Sequence, residues 1–64
     1  MMHRFKVKFT GYDRRYPDTH IILDIAEIER EHMNTPEDAE EVAEKLKSDR
    51  GFSRVVIESW VMTD

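Results

Sequence analysis

A chain of 64 residues with no cysteine and only two glycines makes one domain, 1–64, near the lower size at which chains fold unaided. Disulfide scaffolds, thiolate chemistry and glycine-rich phosphate loops are thereby excluded. The net charge of −4 is unevenly spread: residues 1–16 carry +4, residues 17–44 carry −9 and the remainder +1. A block this lopsided favours cationic partners and repels phosphate.

The opening MMHRFKVKF lacks the apolar run of a signal peptide, and no stretch is apolar enough to span a membrane. An intracellular, cytoplasmic protein with no membrane partner is expected. Arg4 to Thr10 alternates apolar and polar residues, the period of a strand with Phe5, Val7 and Phe9 inward and Arg4, Lys6 and Lys8 in water. Gly11 to Asp18 is aperiodic and rich in turn residues, so it forms a loop, with Arg14 and Arg15 in solvent. Thr19 to Arg30 fits two patterns, because Ile21, Leu23 and Ile25 alternate while Ile21, Ile25 and Ile28 also fit a helix. The β-branched pair Ile21-Ile22 favours a strand, with a bulge near Ala26-Glu27 absorbing the slip in phase.

The strongest local signal is TPEDAEEVAEKLKSDRG, Thr35 to Gly51. Thr35 suits an N-cap, Pro36 the first helical position, and Asp38 the third position of a capping box. Ala39, Val42, Ala43 and Leu46 make an apolar face, and Gly51 after Lys47 and Arg50 is a stop. Phe52 to Met62 then reads as a last strand, with Val55 and Ile57 on one face and Val56, Glu58, Trp60 and Met62 on the other.

These elements give an α+β fold, ββαβ. A right-handed crossover produces a three-stranded antiparallel sheet of order 2-1-3 with the helix on one face. The expected core is Phe5, Val7, Phe9, Ile21, Leu23, Ile25, Val42, Leu46, Val55 and Ile57. Lys6 and Lys8 on the central strand are expected to face Asp24 and Glu58 across the sheet. Ile22, Trp60 and Met62, with Val56 and Ile28, are expected to point away from the helix as an apolar face for homodimerisation.

No catalytic constellation is visible. Ser48, Ser53 and Ser59 lack a glycine-flanked elbow, and His3, His20 and His32 stand at no metal-ligand spacing. Neither an enzyme nor a metal or cofactor is expected, and His32 beside Glu29 and Glu31 is read as a surface histidine. The carboxylates of the helix are more suggestive. Glu37, Glu41 and Glu44 line the side opposite the apolar stripe, with Asp38 and Glu40 flanking, and Glu41 can pair with Lys45. Together with Asp24, Glu27, Glu29 and Glu31 they would present a nucleic-acid-like surface to a basic host protein. Direct nucleic-acid binding through Lys6, Arg14 and Arg15 is disfavoured by the −9 block.

A two-strand start, the helix opening T-P-E-D-A-E-E-V-A (Thr35 to Ala43) and a closing strand within 64 residues resemble the small host-takeover proteins of bacteriophages. Some of these inhibit RNA polymerase and others mimic DNA. The resemblance implies phage or prophage origin and inhibition by binding, and it carries no functional residue across. The other reading is a self-associating structural or antitoxin-like homodimer.

Overall fold

The computed structural model describes residues 1–64 and runs β1 (His3–Asp13), β2 (Ile21–Arg30), α1 (Pro36–Arg50) and β3 (Phe52–Met62). Residues 19 to 30, equally compatible with a helix by periodicity, contribute a strand. The strands form one antiparallel sheet in the order β2-β1-β3. Eleven residues at about 3.3 Å each set the long dimension, and the molecule measures 38 × 18 × 17 Å. The helix packs on one face of the sheet, on the β3 side.

Helix α1 begins and ends as its sequence dictates. Thr35 is extended at φ −127° and its hydroxyl accepts the Asp38 N–H at 3.2 Å. The Asp38 carboxylate accepts the Thr35 N–H in return, so the capping box closes with Asp at its third position. Gly51 sits in the left-handed region at φ 72° and its N–H donates to the Lys47 carbonyl. A side chain there would meet the preceding carbonyl, which is why glycine ends the helix.

The core lies between sheet and helix: Phe5, Val7 and Phe9 of β1, Ala26 of β2, Met33 of the connection, Val42 and Leu46 of α1, and Phe52. Val55 and Ile57 are half-buried against it. Phe52 lies over Gly11, where an added Cβ would stand 2.6 Å from the ring, and its ring meets that of Phe9 at 6.1 Å.

The second strand has the opposite phase to the one expected. Its register with β1 runs from His3↔Arg30 to Tyr12↔Ile21 without a shift, so there is no bulge near Ala26-Glu27. Ala26 opposes Val7 and Ile28 opposes Phe5, which puts them on the helix side. Ile21, Leu23 and Ile25 share the uncovered face with Tyr12, Thr10 and Lys8 and are exposed.

The irregularities fall instead between β1 and β3, at Lys8/Phe9 and at Tyr12/Asp13. At the first, Lys8 opposes Ser59 and Phe9 opposes Ile57, leaving Glu58 as the extra residue. This bulge turns Trp60 and Met62, opposite Val7 and Phe5, onto the helix side. Ile22 lies there too, opposite Gly11. Ile22, Trp60 and Met62 therefore do not build an outward apolar face. Lys6 opposes Glu27 and Val61, and Lys8 opposes Ile25 and Ser59. Asp24 is on the other face, and the Glu58 carboxylate accepts the Thr10 hydroxyl at 3.0 Å.

Candidate protein-interaction surfaces

The expected acidic set divides according to how α1 and β2 place each carboxylate. Asp38 is turned inward and nearly buried. It accepts the backbone N–H groups of Asn34 at 3.1 Å and Thr35 at 3.2 Å, lies 3.0 Å from His32 Nδ1, and accepts Arg30 Nη2 at 3.1 Å. The Asn34 amide foremost, then the His32 and Thr35 contacts, hold its carboxyl far below the usual carboxylate range. Asp38 is a structural anchor, and its burial keeps it from a partner.

Glu41 is committed as well. Its carboxylate accepts Arg30 Nη2 at 2.8 Å, which ties α1 to the end of β2, and it forms no pair with Lys45. Asp24 meets Arg50 at 3.3 Å and Glu29 meets Arg4 at 3.7 Å. Glu37, Glu40 and Glu44 are exposed on the helix surface, and only Glu44 has a cation nearby, Lys47 at 3.9 Å. On a helix, positions three and four apart are neighbours, so these three make one row.

The acids of β2 do not extend this row. Glu27 and Glu29 oppose Lys6 and Arg4 on the uncovered face, across the sheet from α1, and Glu31 stands in the connection beyond β2. The helix carboxylates and the β2 acids Glu27 and Glu29, expected to share one surface, thus lie on opposite sides of the sheet. Between α1 and β2 runs a groove of about 480 Å³ lined by the apolar Ala26, Ile28, Val42 and Leu46 and by charged residues of both signs.

The arginine loop is ordered by its own backbone. Asp13 accepts the N–H groups of Arg15 at 2.7 Å and Tyr16 at 2.9 Å, and the Tyr16 and His20 rings lie 5.0 Å apart. Arg14 and Arg15 point into solvent.

Comparison of the chain with protein-family models, with curated proteins and with solved structures returns no match. The surface chemistry carries the functional reading by itself. No helix is long and apolar enough to cross a membrane.

What the sequence reading missed is the exposed row Ile21, Leu23 and Ile25 on the uncovered face, with Val61 across β1 from Glu27. The alternation that marks it was legible. Only its assignment to the core was mistaken. Trp60, expected on that face, instead donates its indole N–H to the Met33 carbonyl at 2.7 Å.

Proposed function

We propose that the protein works by binding, not catalysis, as a small acidic module whose α1 row docks a basic host protein. The observation that carries this reading is the exposed row Glu37, Glu40 and Glu44, in which only Glu44 has a cation nearby, Lys47 at 3.9 Å. Neighbouring carboxylates on a helix lie roughly 5–6 Å apart at Cβ, of the order of successive phosphates on a nucleic-acid strand. The natural partner class is therefore a DNA-binding protein or polymerase surface, for which the module competes with nucleic acid. Inhibition of that kind fits a phage or prophage role in the host cytoplasm. Glu41, Asp38 and Asp24 support the surface indirectly, by fixing the helix on the sheet.

The test is capture of partners by the purified protein from nuclease-treated bacterial lysate, eluted in salt steps. Nuclease removes capture through bridging nucleic acid. A basic protein should elute at moderate salt and be lost on triple reversal, Glu37→Lys, Glu40→Lys and Glu44→Lys, because rim charges act through a screened field. Capture unchanged in the triple variant sinks the proposal.

A further inference from the structure

Strand β2 is an open edge of the sheet, since the order β2-β1-β3 leaves nothing beyond it. We infer that this edge pairs two copies of the chain, β2 antiparallel to the partner's β2 about a two-fold axis at Leu23, to give a six-stranded sheet.

The backbone geometry fixes which groups are available. The Asp13 N–H donates to the His20 carbonyl at 3.0 Å, and the Thr63 N–H donates to the Arg4 carbonyl at 2.9 Å. In an antiparallel ladder these groups alternate sides. Ile22, Asp24, Ala26 and Ile28 therefore bond to β1, while Ile21, Leu23, Ile25, Glu27 and Glu29 turn their N–H and C=O groups outward. The first three of those residues also hold the exposed apolar side chains, at 46%, 71% and 57% exposure.

Edge strands in monomers are usually blunted by lysine, proline or a bulge. β3, the other edge, has two irregularities in its pairing, whereas β2 reads IILDIAEIER with no lysine, no proline and an unbroken register. Its charges Glu27, Glu29 and Arg30 stand at the far end, and along Ile21 to Ile25 the one guard is Asp24, whose Oδ1 accepts the Ile25 N–H at 2.7 Å. Pairing displaces this carboxylate, whose Oδ2 is already directed at Arg50. The helix does not obstruct the approach, because it packs toward β3 and leaves the groove on the β2 side.

Charge selects the register. An axis at Asp24 or Glu27 sets a carboxylate directly against its own copy, which is unfavourable. An axis at Ile25 places Leu23 opposite the partner's Glu27, and one at Ala26 places it opposite the partner's Glu29. An axis at Ile22 leaves Ile25 unpaired. With the axis at Leu23, Leu23 meets its own copy, Ile21 meets the partner's Ile25, and Glu27 and Glu29 of both copies lie outside the overlap. This is the one arrangement in which apolar faces apolar along the whole uncovered side of the seam.

Sedimentation equilibrium and single-cysteine cross-linking test the pairing, in a chain free of native cysteine. The wild-type chain should sediment at twice its 7.7 kDa mass as concentration rises. Leu23→Lys, at a position exposed in the monomer, should keep its circular dichroism and lose the dimer. Asp24→Ala, which removes the guard, should shift dimerisation to lower concentration. Paired Leu23 residues lie about 5.5 Å apart at Cα, within the roughly 4.4–6.8 Å a disulfide spans, so Leu23→Cys should cross-link on mild oxidation and Glu27→Cys should not. A wild-type chain that stays monomeric at every concentration overturns the inference and leaves the edge to a strand of another protein. Cross-linking of Glu27→Cys as readily as Leu23→Cys overturns it equally.

Discussion

Gly11 and Phe52 settle how the first strand meets the third. The ring of Phe52 occupies the space a side chain at Gly11 would need, and the nearest three ring atoms lie 2.6–2.8 Å from an ideal Cβ. Phe52 is buried against Phe9, and Arg50 stands over the Phe9 ring at 5.6 Å. The ring cannot yield without disturbing both neighbours. Gly11→Ala is therefore expected to overpack this corner and lower stability by about 1–3 kcal/mol. Urea denaturation followed by far-ultraviolet circular dichroism measures it, and an unchanged midpoint would show that the ring swings aside freely.

At the scale of elements, the connection from β2 to α1 is held from both sides. Met33 is buried beneath the helix, Asp38 gathers the amides of Asn34 and Thr35, and the Trp60 indole reaches the Met33 carbonyl from β3. The bulge at Glu58 makes this possible, because without it Trp60 would face the opposite side of the sheet. Trp60→Phe keeps most of the apolar contact and leaves the Met33 carbonyl short of a donor. Such a loss costs about 1 kcal/mol, and thermal melts of the two proteins should differ accordingly. Equal melting temperatures would mean that water replaces the indole without cost.

The same elements show what could be read from the residues alone. Helix α1 was legible because its signals are local: a cap, a proline, a periodic face and a glycine stop within one stretch. Strand order followed from chain topology. Strand phase did not, because it depends on long-range pairing. Ile21, Leu23 and Ile25 are as apolar as any core residues, and only the unbroken register with β1 shows that Ala26 and Ile28 take the inward side. The Glu58 bulge likewise leaves no mark in the sequence, and it alone reverses the assignment of Trp60 and Met62. The acidic set was visible as a composition. Which carboxylates are spent internally, Asp38 and Glu41 on Arg30 and Asp24 on Arg50, depends on contacts between distant elements.

For the molecule as a whole, three aspartates fasten β2 at its ends and along its length, and they make the fold sensitive to acid. Asp13 closes the turn before β2, Asp24 joins β2 to the end of α1 through Arg50, and Asp38 joins Arg30 to the start of α1. All three carboxyls are held below their ordinary value of 3.8. The leading cause in each is a backbone amide: Tyr16 for Asp13, Ile25 for Asp24 and Asn34 for Asp38. A carboxyl depressed on folding binds fewer protons in the folded chain than in the unfolded one, so its contribution is complete above the unfolded value and lost as pH falls below it. The melting temperature should stay nearly level from pH 7 to about 5 and fall progressively below that, as the unfolded carboxylates take up protons. Asp38→Asn should start from a lower melting temperature and fall less steeply, since the most depressed of the three has been removed from the titration. Melts recorded at a series of pH values for both proteins decide the matter, and a wild-type curve flat down to pH 3 would show that these anchors do not hold the sheet to the helix.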